Sequence, residues 1–381
     1  MKKLKVCHVI SAFGRFDTRI FYKQAMALKV AGYDVHIVTH DGFSDEEKNG
    51  IHIWHSGFKS DDGKIKRIVQ GKKYAFKKAL EINADIYQIH DPELISVGLK
   101  LRKRGKKIIY DSHENFSEQI LQKEWIPKIF RKTLSCLANQ YLKRTLKKYD
   151  AVLGVSPDQE KKLLEEYKIK EVKIITNYPL VENTPIPRID FETYALRAKN
   201  ISYMGAINRD WKNEYVIQAT GELNFTLLLA GDGDRNYLES LKTQKYWKNV
   251  IFYGKIPFDK VNEIYNQSIA GVVLIDYLAN CNYKLGTMGN NKLFENMKAG
   301  LPIICTDFIL WREFIDRYKC GIYVNPNDYE QIKNAIKYII DHPREAYDMG
   351  QNGITAVENE FNWNAQREIY LEVYKKLIQY V

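Results

Sequence analysis

The residues best suited to chemistry lie in short polar loops, each following an apolar, β-branched run. Lys284-Leu285-Gly286-Thr287-Met288-Gly289-Asn290-Asn291-Lys292 leads into the periodic segment Leu293-Phe294-Glu295-Asn296-Met297. Gly286 and Gly289 would let backbone N–H groups approach a phosphate, and the N-terminus of the following helix would point at the same anion. Glu295, one turn into that helix, is a carboxylate suited to accepting paired hydrogen bonds from vicinal hydroxyls such as those of a ribose. Gly205-Ala206-Ile207-Asn208-Arg209-Asp210-Trp211-Lys212 sets Arg209 and Lys212 just before another helix, where their charge would add to the dipole to form an anion site; a solvated loop fits the same spacing. Tyr253-Gly254-Lys255-Ile256-Pro257 offers backbone at Ile256 against which a base edge could be read. Gly231-Asp232-Gly233-Asp234 reads as a tight turn into a helix. A calcium site needs more oxygen ligands nearby, and a dinucleotide fingerprint needs Gly where Asn236 stands. Three further clusters fall earlier: Arg15-Phe16-Asp17-Thr18-Arg19, His90-Asp91-Pro92-Glu93 and Ser112-His113-Glu114. A lone histidine is more often structural, but His90 and His113 each follow a strand and are flanked by carboxylates, so both are candidates for the site.

Two series of alternating strands and helices must carry these loops. Strands are expected over 5–10, 34–39, 86–89, 107–111, 151–155 and 172–176, with helices over 19–31, 65–80, 94–103, 125–148 and 157–166. Residues 179–198 are polar and hold Pro179, Pro185 and Pro187, which places a linker there. The alternation resumes with strands over 201–204, 225–230, 250–253, 271–275, 302–305 and 322–324. Their helices are expected over 214–220, 237–241, 261–266, 292–299 and 311–314, and three more close the chain over 329–340, 347–358 and 363–377. Such alternation specifies two α/β domains, 1–180 and 199–362, each a doubly wound parallel sheet whose ligands bind at the carboxyl ends of the strands, with a cleft between them.

Composition narrows the partners. With 381 residues, 45% hydrophobic and 28% charged, the chain is neither disordered nor collagen-like. No apolar run approaches the roughly 18 residues of a membrane-spanning helix, and the run after Met1-Lys2-Lys3 is too short for a signal peptide. The five cysteines are scattered without a Cys-x-x-Cys pair, which fits a reducing cytoplasm and neither a zinc site nor a disulfide framework. Residues 1–180 hold 35 Lys+Arg against 22 Asp+Glu, whereas the remainder holds 23 against 25, so all of the net +11 sits in the first half. Such asymmetry suggests an anionic partner for that half, a nucleic acid, a membrane surface or an acidic substrate; charge that serves only solubility fits the same count. Trp125-Ile126-Pro127-Lys128-Ile129-Phe130-Arg131-Lys132, with Lys143, Arg144, Lys147 and Lys148, combines apolar anchors with cations and suits a helix lying on an anionic membrane surface; a core-packed helix with a basic outer face fits the same residues. Nucleic acid is disfavoured, since no aromatic stacking platform is interleaved with the cations.

Taken together, these segments resemble the retaining glycosyltransferases of the large bacterial family 4, which have the GT-B fold of two Rossmann-like domains facing a cleft. The resemblance spans nearly the whole chain. It is carried by Lys292-Leu293-Phe294-Glu295 through Ala299-Gly300-Leu301-Pro302, Trp311-Arg312-Glu313, Cys320-Gly321 and Asn325-Pro326. Arg15 through Ile20, His90 through Leu94, Tyr110 through Glu114 and Asn177-Tyr178-Pro179 are similar to a subgroup common in surface-polysaccharide gene sets. The resemblance implies transfer of a hexose or N-acetylhexosamine from a nucleotide-sugar, a UDP-sugar before a GDP-sugar, with retention and with neither metal nor other cofactor. The acceptor would be a saccharide or a polyprenyl-diphosphate-linked saccharide, at the inner face of the plasma membrane. His113 would lie near the transferred sugar, and Arg209 and Lys212 would neutralise the diphosphate. The donor would meet Gly231, Ile256, Gly286, Thr287, Met288, Gly289, Asn290, Asn291, Lys292 and Glu295; Arg15, Asp17, Arg19, His90 and Asp91 would stand on the acceptor side. The final helix, about 363–381, would return to pack on the first domain. The sequence departs from the family at Thr287, where a second glutamate is usual, at Ala206, where arginine is usual, and at Gly14-Arg15 in place of paired glycines. Two rivals remain on this basis: an epimerase of the same fold, and a noncatalytic nucleotide-sugar-binding partner of another transferase.

Overall fold

The computed structural model describes residues 3–58, 66–123, 126–182, 185–257 and 260–378. The chain divides into two compact units, Met1–Asn177 with Asn364–Val381, and Tyr178–Trp363.

The first unit is built on β1 (Lys5–Val9), β2 (Asp34–Thr39), β3 (Glu46–Lys48), β4 (Ile51–His55), β5 (Ile86–Ile89), β6 (Lys107–Asp111), β7 (Ala151–Gly154) and β8 (Val172–Ile174). They lie in the order β3-β4-β2-β1-β5-β6-β7-β8, parallel except for β3, which runs antiparallel to β4. Val6 of β1 pairs with Val35 on one side and Ile86 on the other. Because both faces are covered, β1, β5 and β7 read as near-continuous apolar runs rather than as alternating ones. The connections from β1 and β5 leave on opposite sides of the sheet, and the crevice this opens at the carboxyl ends is where such sheets bind ligands. The last helix, Trp363–Ile378, is tied to β5 by the buried Tyr370 and Tyr374, whose hydroxyls donate to Gln88 Oε1 at 2.8 and 2.5 Å.

The second unit is built on β9 (Asn200–Met204), β10 (Thr226–Ala230), β11 (Val250–Gly254), β12 (Ala270–Val273), β13 (Ile303–Thr306) and β14 (Gly321–Val324). These strands are all parallel, in the order β11-β10-β9-β12-β13-β14, with the reversal at β9. The doubly wound α/β class expected from the sequence is thus present twice.

Three local readings change. The β3–β4 hairpin was not expected; Asn49 (φ 55°) and Gly50 (φ 72°) form its turn, both in the left-handed region a two-residue hairpin favours. The helix expected over 19–31 opens as a π-helix, Thr18–Ala25, before the α-helix Met26–Val30. Segment 179–198 is no free linker: Val181, Ile186 and Tyr194 are buried in the second unit's cores, and Arg188 pairs with Glu358 at 2.7 Å. Ile65 and Trp125, where two helices were expected to begin, lie outside the described residues.

Candidate functional site

In the second unit a cavity of about 450 Å³ opens at the carboxyl ends of β9, β10 and β11. Gly205, Gly231 and Ile256, which follow those strands, line it together with Asn291, Lys292 and Glu295 of the helix Asn291–Lys298. The backbone there is crowded. A methyl group on Gly231 (φ +150°) would lie 1.7 Å from the Gly205 carbonyl oxygen, so only glycine fits that crossing. Lys292 passes directly over Gly205, where a methyl group would meet its Cε at 2.0 Å, and its ammonium lies 3.6 Å from the Trp211 ring centroid. That distance is a strong cation–π contact, which fixes the charge at the cavity wall. Asn290 starts the helix, its Oδ1 accepting from the Lys292 N–H at 3.1 Å. Glu295 is buried at the cavity, and Tyr265 beside it is pushed up by burial and by the Glu295 charge, so the phenol stays protonated. The cavity therefore combines a cation, a carboxylate, close backbone and an apolar wall at Ile256, the parts a nucleoside diphosphate requires.

Other expected donor residues stand elsewhere. Gly286 (φ +83°) is held by packing, since a methyl group there would lie 2.5 Å from Phe308 Cβ. Thr287 accepts from Gly289 N–H at 3.2 Å through Oγ1 and from Trp311 Nε1 at 2.8 Å through its carbonyl; together with the Asn290 cap this builds the turn before the helix. Gly286, Thr287, Met288, Gly289 and Asn290 do not line the cavity. Nor do Arg209 and Lys212. Arg209 is exposed, its guanidinium 5.5 Å from the Tyr237 ring centroid, and Lys212 pairs with Asp276 at 2.8 Å. The cations that do line it are Lys292 and Lys255.

In the first unit the expected acceptor-side residues form a buried polar cluster at the carboxyl ends of β1, β5 and β6. Arg19 donates to Asp111 from Nε (3.1 Å) and Nη2 (2.7 Å) and to the Ile175 carbonyl at 2.5 Å. The same guanidinium holds the Asp111 carboxyl well below the usual carboxylate range despite full burial. Asp17 is spent on the helix start, its Oδ1 accepting from the N–H groups of Arg19 and Ile20 at 2.9 and 3.0 Å. Arg15 is neutralised by Asp41 at 2.6 Å and by Glu46. Asp91, buried near Glu93 and pushed up by burial, accepts from the Ser11 N–H at 2.6 Å. These side chains thus hold the loops in place rather than standing free in the crevice. His90, Asp111 and His113 bring ligand atoms within 4.8 Å of one another, a spacing that would suit a metal ion. Here Arg19 already supplies the cation on that carboxylate, and both ring nitrogens of His90 face other imidazoles.

The family model described as Glycosyltransferase Family 4 matches residues 18–182, and that described as Glycosyl transferases group 1 matches residues 193–356. The chain belongs to the GT-B glycosyltransferases. No curated protein matches it. Among solved structures, this glycosyltransferase is similar in fold to sucrose-phosphate synthase from Thermosynechococcus elongatus, at 18% identity and TM-score 0.76, covering 100% of both chains. It is also similar to WaaG, a glycosyltransferase involved in lipopolysaccharide biosynthesis, at 14% identity and TM-score 0.70, covering 97% of this chain and 99% of the other. A third similarity is to Anabaena HepE in complex with UDP and glucose, at 12% identity and TM-score 0.67, covering 98% and 100%.

Within the glycosyltransferase, sequence reasoning missed Lys255 and Tyr265 as lining residues and His8 as part of the first unit's cluster. Lys255 had a signal, since it directly follows β11 at the carboxyl edge. Tyr265 and His8 had none, because an aromatic in a helix and a histidine inside a strand both read as core.

Proposed function

We propose that this glycosyltransferase moves a hexosyl or N-acetylhexosaminyl group from a UDP-sugar to a saccharide or lipid-linked saccharide acceptor, with retention and without a metal ion. The observation that carries this reading is the cavity in which Lys292, Lys255, Glu295 and Ile256 converge. In that reading Glu295 accepts from the ribose hydroxyls, backbone at Ile256 meets the base, and Lys292 with the amides near Asn291 faces the diphosphate. The bond from the anomeric carbon to the β-phosphate oxygen breaks while an acceptor oxygen bonds to the same face of that carbon. The acceptor proton passes to the departing phosphate oxygen. Negative charge grows on that oxygen, and fixed cations and N–H groups stabilise it more than they stabilise the ground state. That HepE is described in complex with UDP and glucose supports a uridine donor here. Thermal unfolding with UDP, GDP and their sugars tests the proposal, since a ligand of the native state raises stability by about 2.7 kcal/mol at a hundredfold excess over Kd. We expect UDP and a UDP-sugar to raise Tm, unaltered by a chelator; a response to GDP alone, or one abolished by chelation, overturns it.

A lipid-linked acceptor, and work at the cytoplasmic face of the membrane in surface-polysaccharide synthesis, draws support from the helix Lys128–Thr145. Phe130, Leu134, Leu137 and Tyr141 recur along one face and are exposed, as is Ile129 at 80%. The same helix exposes Lys128, Lys132, Lys143 and Arg144. An apolar stripe bared to solvent and accompanied by cations fits an anionic bilayer surface; Trp125 of the expected anchor lies outside the described residues. No helix among the described residues is long and apolar enough to cross a membrane. Sedimentation with phosphatidylglycerol vesicles should carry the protein down, phosphatidylcholine vesicles should not, and Phe130→Glu with Leu137→Glu should release it. Equal partition to both vesicle types would sink this part.

A further inference from the structure

Three histidines from separate segments of the first unit lie in one hydrogen-bonded row. His8 Nδ1 is 2.9 Å from His90 Nε2, and His90 Nδ1 is 3.0 Å from His113 Nε2. His8 and His90 are buried, whereas the His113 side chain keeps 13% of its surface exposed at the carboxyl edge of the sheet. A hydrogen bond between two neutral imidazoles holds one proton, so the donor in one pair fixes the donor in the next. The neutral row has two registers, with the protons all on Nδ1 or all on Nε2. The second would leave an N–H on His8 Nε2, which is buried and finds no hydrogen-bond partner among the described residues. Buried donors without acceptors are the rarest kind of orphan, so a bare lone pair there is the cheaper arrangement. Asp111 Oδ2 lies 3.4 Å from His90 Nδ1 and 3.5 Å from His113 Nε2 and so meets the shared proton in either register, which leaves the choice to His8 Nε2.

We infer that His8 and His90 are positioning residues that hold His113 as a neutral imidazole protonated on Nδ1, the nitrogen His90 does not engage, so that it donates to a substrate oxygen. The role at the substrate rests on the functional reading above; the tautomer does not. The charged and titratable groups facing His113 are Asp111 at the end of β6, Arg19 from the π-helix and His90 after β5. Burial, aided by His90 and Arg19 and opposed by Asp111, pushes His113 down to about 3, so the ring is uncharged throughout the working pH range. Free histidine prefers the Nε2–H tautomer, so the row imposes the less common one.

Long-range 1H–15N spectra of the whole protein labelled at histidine, assigned with single His→Asn variants, test this. The wild type should show His113 as Nδ1–H. In His90→Phe it should revert towards Nε2–H, with kcat down roughly tenfold to a hundredfold and donor KM within about twofold. His90→Asn, whose amide N–H replaces the Nδ1 donor, should keep the His113 tautomer and recover most of kcat. Nε2–H at His113 in the wild type, a result that needs no variant to fold, would overturn the inference, as would a tautomer unmoved by His90→Phe. The spectra need no substrate, so a failure of sugar transfer by the wild type would sink the functional reading alone.

Discussion

Lys292→Met should remove most of the protein's hold on a nucleoside diphosphate, lowering kcat/KM roughly a hundredfold to a thousandfold. The ammonium sits at the cavity wall, 3.6 Å from the Trp211 ring centroid, in the cavity that also holds Glu295. Methionine keeps an apolar stem over Trp211 and Gly205 but loses the cation–π contact, so Tm without ligand should fall modestly while the fold stays intact, and the loss of UDP affinity can be assigned to charge. Lys212→Met is the informative control. Its ammonium is already paired with Asp276 at 2.8 Å, so we expect a fall within about threefold, as for a charge that spends its field on a neighbour. Titration calorimetry with UDP and steady-state rates on both variants check the order. A larger effect at Lys212 would move the phosphate site to the loop after β9.

Asp111→Ala should cost the first unit about 3–5 kcal/mol, the usual consequence of stranding one partner of a buried ion pair. Asp111 is fully buried and Arg19 is nearly so; besides the guanidinium, the carboxylate accepts from Gln24 Nε2 at 2.7 Å and Gln88 Nε2 at 3.3 Å. Removing it leaves a buried cation and strands Gln24 Nε2, while Gln88 Nε2 keeps Gln24 Oε1 at 2.9 Å. At roughly 2–4 °C per kcal/mol for a unit of this size, Tm should drop by about 10 °C. Removing the cation as well, in Arg19→Met with Asp111→Ala, should recover part of that loss, because the uncompensated charge is gone. Calorimetric unfolding of the wild type and the two variants decides; an Asp111→Ala cost under about 1 kcal/mol would mean the pair is hydrated.

Both sheets were legible because parallel strands covered on two faces must be apolar almost throughout, as in β1, β5 and β10. The β3–β4 hairpin escaped because Glu46, Glu47 and Lys48 are exposed and charged, leaving Asn49-Gly50 as the sole cue. Prolines marked 179–198 as irregular but could not reveal that Val181 and Ile186 are buried. That Gly231, Ile256, Asn291, Lys292 and Glu295 line one cavity could be read because a parallel sheet delivers its loops to one edge. Charge was the poorer guide. Spacing alone could not show that Lys212 pairs with Asp276, Arg15 with Asp41 and Arg19 with Asp111, or that Arg209 lies against the Tyr237 ring, because those partners come from elsewhere in the fold. The histidine row was out of reach for the same reason: His8 and His90 are 82 positions apart, and nothing local announces that they touch.

The tie between Tyr370, Tyr374 and Gln88 has a consequence for biosynthesis. The helix that carries the two tyrosines leaves the ribosome only after the entire second unit, so the first unit emerges early with an open seam beside β5. Its Gln88 side chain must wait, hydrated, for residues made after the second unit. A nascent chain stalled anywhere before Tyr370 would therefore expose that seam, and quality-control proteases would meet an unfinished amino-terminal half rather than a finished one.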